Sequence, residues 1–246
     1  MQTSIYTKIF KSKAEGKKLF AVLIDPDKFH SAEIISKAER ARVDLILVGG
    51  SIISDGNIEN CIQTIKKITS IPVVIFPGNQ LQISKNADAI LLLSLISGRN
   101  PELLIGKHVV AAPLLKASGL EILSTGYMLI ESGKQTSASY MSNTNPIPYE
   151  KDDIAACTAM AGEQLGLRLI YMDAGSGAQQ PVSKSMITKV SNTISIPLLV
   201  GGGINTSEKA LSACKSGADI IVVGNAIEKD AELLDAISET IHSYKK

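Results

Sequence analysis

The residues of this chain able to do chemistry gather where short apolar runs stop. One run ends Ile24-Asp25-Pro26-Asp27-Lys28. Two carboxylates flanking a proline can offer oxygen ligands to a hard cation such as Mg2+, or can cap the turn that follows. A second ends Val48-Gly49-Gly50-Ser51, where glycine admits close backbone approach and Ser51 adds a hydroxyl for the same cation or its water shell. A third ends Tyr171-Met172-Asp173-Ala174-Gly175-Ser176-Gly177, bringing a phenol, a carboxylate, a hydroxyl and two glycines into seven residues. The amides of 175–177 can cradle a phosphate while Tyr171 and Asp173 fix hydroxyls of the same molecule. A left-handed turn capped by Asp173 accounts for the same letters more plainly. Two further runs end Val200-Gly201-Gly202-Gly203-Ile204 and Val223-Gly224-Asn225. Glycines closing consecutive runs are the pattern of a phosphate site built from backbone N–H groups.

Other chemistries are poorly represented. His30, His108 and His242 lie away from the run ends and read as surface residues, so a histidine general base is not favoured. No Ser/His/Asp or Cys/His arrangement is present. Lys116 and Arg99 can neutralise a second phosphate but read as solvated surface charge. Cys61, Cys157 and Cys214 are far apart with no C-x-x-C pattern, which predicts reduced thiols rather than a disulfide or a zinc site.

The elements that must position these groups alternate along the chain. Apolar, β-branched runs predict strands over 19–24, 45–48, 73–76, 89–93, 127–130, 169–172, 198–200 and 220–223. They are apolar throughout rather than alternating, as strands covered on both faces are. Helical patterns fill 31–42, 58–68, 101–116, 152–165, 182–190, 207–216 and 231–244. Eight strands with right-handed crossovers, in 246 residues, predict a (β/α)8 barrel, whose chemistry sits at the C-terminal strand ends. No linker or internal repeat divides the chain, so one domain over 1–246 is expected. The connection 77–88 is too short and too rich in Pro, Gly and Asn for a full helix. The segment 132–148 carries little helical signal and is long enough to cover a site. A net charge of +1 with no basic block argues against nucleic acid. The N-terminal residues lack a signal-peptide run and no stretch approaches a membrane span, so a soluble cytoplasmic protein is expected.

Taken together and in order, Asp25-Pro26-Asp27-Lys28, Val48-Gly49-Gly50-Ser51, Tyr171 through Gly177, Gly201-Gly202-Gly203-Ile204 and Val223-Gly224-Asn225 resemble the geranylgeranylglyceryl phosphate synthase family. Gly126-Tyr127 through Asn145-Pro146-Ile147-Pro148-Tyr149 is similar to that family's approach to its sixth helix. The resemblance implies a modified TIM barrel with irregular structure in place of the third helix. It implies transfer of a polyprenyl group from its diphosphate to the 3-hydroxyl of sn-glycerol 1-phosphate. It further implies Mg2+ as cofactor, with Asp25 and Ser51 as ligands. The glycerol phosphate site would comprise Tyr171, Met172, Asp173, Ala174, Gly175, Ser176, Gly177, Gly202, Gly203, Gly224 and Asn225, with Tyr171 and Asp173 catalytic. A homo-oligomer, dimer or hexamer, is implied as well. The family usually has Glu where this chain has Asp173 and Leu where it has Met172, which puts the reach of that carboxylate in question. A heptaprenylglyceryl phosphate synthase differs only in the depth of its prenyl groove. A barrel isomerase or lyase of a phosphorylated metabolite, or a phosphate-ligand sensor, would use the same glycine cradle but leaves the Gly-Gly-Ser of 49–51 without a role.

Overall fold

The computed structural model describes residues 4–29, 31–79 and 82–244. Eight parallel strands close into a barrel in sequence order. They are β1 (Leu19–Ile24), β2 (Leu45–Val48), β3 (Val73–Ile75), β4 (Ala89–Leu95), β5 (Glu121–Leu129), β6 (Leu169–Asp173), β7 (Leu198–Gly201) and β8 (Ile220–Val223). β8 returns to β1 in the register Leu19↔Ile220 to Val22↔Val223, so no sheet edge is left open. Val, Ile and Leu fill these strands because both faces are buried, and side-chain alternation sorts them into two cores. Leu47, Val74, Leu91, Leu123, Leu199 and Val222 fill the barrel interior. Ile46, Val73, Ile90, Ile170, Val200 and Ile221 pack outward under the helices. Each such side chain contributes about 1.5–3 kcal/mol by leaving water.

Helices α2 (Glu33–Arg40), α3 (Ile58–Ile68), α4 (Lys107–Ser118), α6 (Asp152–Gln164), α7 (Lys184–Ser191), α8 (Ser207–Lys215) and α10 (Leu233–Ser243) form the outer layer, following α1 (Ile5–Ala14) at the start of the chain. Short helices α5 (Ser137–Ser142) and α9 (Asn225–Lys229) follow β5 and β8. No helix joins β3 to β4 among the described residues of 77–88, as the composition of that segment predicts.

Several expectations need correcting. α1 lies where the sequence patterns predict no helix: Ser4 Oγ accepts from Thr7 N, and Ile5 and Ile9 join the interior core. β5 starts at Glu121, whose carboxylate accepts from Ser4 Oγ and the amides of Ile5 and Tyr6. Capping α1 thus gives a charged residue a place at the head of a strand. The helix expected over 101–116 opens with a π-turn at Glu102–Gly106 before α4 begins. Segment 132–148 holds α5, built on a capping box between Thr136 and Ser139.

The N-terminal ends of the strands are tied by aspartates. Asp44 Oδ2 accepts from Phe20 N at 2.8 Å and lies 2.9 Å from His242 Nε2. Asp88 Oδ2 accepts from Val73 N at 2.8 Å while Lys66 Nζ approaches Oδ1 to 2.6 Å. Asp219 accepts from Leu198 N at 3.0 Å, with Lys13 at 2.7 Å and the buried Lys18 at 3.2 Å. Each therefore fastens one strand to its neighbour.

Candidate active site

A cavity of about 790 Å³ opens at the C-terminal ends of the strands. One side is the glycine cradle. After β6 the chain turns sharply through Gly175 and Gly177, both left-handed at φ 89° and 68°. Gly202 is also left-handed, and a Cβ there would lie 2.6 Å from Gly175 N and 2.8 Å from Ala174 N. The loops after β6 and β7 therefore meet only because that position carries no side chain. Asn225, at the end of β8, closes the third side by donating from Nδ2 to Ser176 Oγ at 2.6 Å. The structure thus brings Gly175, Ser176, Gly177, Gly202, Gly203, Gly224 and Asn225 to one cavity wall. Met172 and Ala174 are buried and do not line the cavity; they pack in the outer core.

Asp173 is buried beneath this cradle. Its Oδ1 accepts from Gly175 N at 2.6 Å, so it does cap its own turn. Its Oδ2 accepts from Tyr127 Oη, also at 2.6 Å. Burial raises the carboxyl above its ordinary range, opposed by those two hydrogen bonds. Tyr171 and Tyr127 stack edge to face, and burial followed by the Asp173 charge holds both phenols well above their usual pKa. They remain protonated donors rather than bases. A Cβ on Gly201 would strike Tyr171 Oη at 2.5 Å, so β7 makes room for the ring.

The opposite rim carries the acidic group. Asp25 Oδ1 caps a 3-10 turn at Pro26–Lys28 through Asp27 N, and Oδ2 lies 3.0 Å from Lys28 Nζ. The same ammonium is 3.6 Å from Glu228, whose carboxyl is raised by burial. Asp27 departs from the sequence reading. It accepts from Ser54 N, Ser54 Oγ, Asp55 N and Gly56 N, which hold its pKa down at about 2. It fastens the loop after β2 and is not free for a cation. Asp25, Glu228 and Ser51 face the same cavity. Among the described residues no group of three or more His, Cys, Asp or Glu converges as a dedicated metal cage. A carboxylate and a hydroxyl are oxygen donors of the kind Mg2+ takes, and the Lys28 ammonium occupies the place of a cation beside Asp25. Mg2+ keeps several waters and binds through one or two carboxylates plus substrate phosphates.

A second, apolar arm lies outside the barrel. Ile90 and Leu92 belong to the outer face of β4, yet they line the cavity with Ile83, Ala111 and Leu115. They do so beside the segment after β3, in which the described residues form no helix. His108 also lines this arm, which corrects its reading as a surface residue. It is half-buried on the inner side of α4, with Nε2 3.2 Å from Ser94 Oγ and its pKa lowered by desolvation. His242 is held by Asp44 at the far end of the barrel, and His30 lies outside the described residues. Lys116 and Arg99 do not line the cavity. Cys61 and Cys214 are buried and Cys157 exposed, all free thiols. Sequence reasoning about strand ends missed Tyr127, Glu228 and His108; only Tyr127 carried a signal, as a phenol just inside an apolar run.

The PcrB family profile matches residues 11–241. The geranylgeranylglyceryl phosphate synthase of Chitinophaga pinensis is 54% identical over 246 residues, covering 99% of this chain and 98% of that protein. The protein of the same name from Thermococcus kodakarensis is 44% identical over 221 residues, covering 88% of this chain and 87% of its own. Among solved structures, the (S)-3-O-geranylgeranylglyceryl phosphate synthase of Thermoplasma acidophilum, in complex with substrate sn-glycerol-1-phosphate, superposes with a TM-score of 0.91. It is 32% identical, with 99% of this chain and 100% of that one covered.

Proposed function

The chain belongs to the PcrB family, and from that premise we propose that it is a geranylgeranylglyceryl phosphate synthase. It joins C1 of geranylgeranyl diphosphate to the 3-hydroxyl of sn-glycerol 1-phosphate, releases diphosphate and so forms the ether bond of an ether lipid. The observation that carries this reading is one cavity with two unlike arms, a neutral glycine cradle over a buried carboxylate and an apolar arm outside the barrel. A phosphorylated polyol suits the first, and a long hydrocarbon suits the second, where each buried CH2 contributes about 0.8 kcal/mol. The Asp25 rim suits the diphosphate between them.

The chemistry asks little of a base. As the allylic C1–O bond weakens, C1 gains cationic character and the acceptor hydroxyl need lose its proton only late. Asp173 orients that hydroxyl and takes the proton. Its two oxygens each keep a lone pair beyond the bonds from Tyr127 and Gly175. Tyr171, as a protonated phenol, donates to the glycerol oxygens. Those two bonds also hold Asp173 back against its own turn. The reach of the longer glutamate is then made up by a water or by a shifted acceptor. Asp25 and Ser51 would hold Mg2+, which when bound supplies positive charge to the leaving diphosphate. An isomerase or lyase would need an acid–base partner opposite Asp173, and Asp25 is ion-paired to Lys28.

Diphosphate release from geranylgeranyl diphosphate tests the reading directly. Turnover is expected with sn-glycerol 1-phosphate and not with sn-glycerol 3-phosphate, and it should stop on adding EDTA. Equal rates with both enantiomers would overturn it. Farnesyl and heptaprenyl diphosphates run alongside locate the preferred chain length. The same reading takes the chain as a cytoplasmic homo-oligomer. Its supporting observation is the outer face of α4 and the turn before it, where Ile105, Val109, Val110 and Leu114 are all more than half exposed. A helix apolar on both sides is one that is covered on both sides. Val109→Glu with Leu114→Glu should lower the mass measured by light scattering, and an unchanged mass would remove this face from the interface. No helix among the described residues is long and apolar enough to cross a membrane.

A further inference from the structure

We infer that Lys134 is a phosphate strap, its ammonium closing over the phosphate monoester received by the glycine cradle. The inference rests on the acceptor site proposed above and adds to it a residue from a different strand end. Lys134 belongs to the loop after β5, whose two ends are tied together. Glu131 N donates to Ile147 O at 2.9 Å and Ile147 N to Leu129 O at 2.8 Å. Within that loop, Lys134 is bracketed by two contacts with the loop after β6. On one side Gln179 N donates to Ser132 O, and Gly133, left-handed at φ 86°, leaves room for the Gln179 side chain. On the other, Thr136 packs on Gly175 so closely that a Cβ there would meet Thr136 Cγ2 at 2.5 Å. Thr136 is itself fixed as the cap of α5.

Between these clamps the Lys134 side chain runs to the cradle. A Cβ placed on Gly177 would lie 3.4 Å from Lys134 Nζ and 3.9 Å from Asn225 Nδ2. Ammonium and amide thus converge on the space above Gly177, where Asn225 is already bonded to Ser176. The cradle's own residues carry no formal charge, whereas a phosphate monoester carries about −1.5 to −2 at neutral pH. Among the described residues Lys134 Nζ has no ion-pair partner. Lys209, beside the next loop, differs: its ammonium is already bonded to Gly203 O at 3.2 Å and Asn205 Oδ1 at 2.7 Å. Lys134 is thus an unpaired cation placed to meet the anion at Gly177. It ties the loop over the site to the presence of the acceptor's phosphate.

Calorimetric titration with sn-glycerol 1-phosphate, and separately with inorganic phosphate, tests this on the full chain. Lys134→Met should weaken binding of both about tenfold at low salt, the scale of one charge-assisted hydrogen bond. The gap should narrow at about 0.5 M salt, where exposed charges are screened. In the parent, saturating acceptor should slow tryptic cleavage after Lys134. Equal affinities for parent and variant, or cleavage unaffected by acceptor, would overturn the strap alone. A parent that binds neither ligand would overturn the acceptor site itself.

Discussion

At the N-terminal ends of the strands Asp44, Asp88 and Asp219 each accept a neighbouring strand's N–H and also face Lys or His. At the C-terminal end Asp173 is as buried as Asp219 but faces only a phenol and an amide. Both are aspartates at the end of an apolar run, and what surrounds them separates their roles. A carboxylate that accepts a strand's N–H and faces a Lys or His holds strands together. One buried with neutral donors keeps a raised pKa and a capacity to accept a proton. The lower rim therefore fastens strands, and the upper rim, in the function proposed, would give up some stability to stay reactive.

The sharpest way to break this contrast is to truncate each aspartate. Asp173→Ala should lower turnover about 10²–10⁴-fold, the usual weight of a positioned proton acceptor, with the fold and the magnesium dependence kept. Equal turnover would take Asp173 out of the mechanism. Asp219→Ala should do the reverse. Leaving Lys18 buried without its partner costs about 3–5 kcal/mol. At about 2–4 °C per kcal/mol for a chain of this size the melting temperature falls visibly, while kcat of the folded enzyme is unchanged. A loss of kcat there would mean that the two rims are coupled.

Smaller effects sharpen the comparison within the upper rim. Asp27→Asn releases the loop that follows Ser51 and should raise the magnesium needed for half-maximal turnover about tenfold, as loss of an outer support does. Asp27's depressed pKa means its hold is present at and above the ordinary 3.8 and is lost only as pH falls toward about 2. Protection of the Ser54 and Gly56 amides from hydrogen exchange should therefore persist through mildly acid pH. Asp173 has the opposite sign. Its carboxyl takes up a proton above 3.8, so kcat should begin to decline on the acid side before an exposed aspartate would titrate. Asp173→Glu, which restores the longer side chain but is freer to reach solvent, should move that limb to lower pH.

The barrel was legible because its strands are dense apolar runs that stop at Gly or Asp, and strands β1, β2 and β8 fall at the predicted residues. The cradle was legible for the same reason, since each glycine sits where a run stops. What escaped depends on closure or on phase. Tyr127 reaches Asp173 only because β5 and β6 pair in the register Tyr127↔Tyr171, a partnership 46 residues long in sequence. Glu228 meets Asp25 through Lys28 because β8 returns to β1. His108 turns inward after a π-turn, and a widened turn shifts which side chains face the barrel. α5 has six residues of middling propensity, and the Thr136 capping box with the contact to Gly175 makes it a helix.

Among the described residues no helix covers the barrel between β3 and β4, and that bears on how a product leaves. A product with a charged head and a long tail would be hard to withdraw from a blind tunnel, because the tail must be drawn back through a polar mouth. Here the apolar arm runs along the outer face of β4, under Ile83 and beside α4, with Leu92 and Ile83 only partly covered. Where these two side chains are uncovered, a tail bound in the arm would have a sideways way out while the head leaves upward. Release would then be a peeling step that gives up the tail's contacts a few CH2 groups at a time, slower for a longer tail.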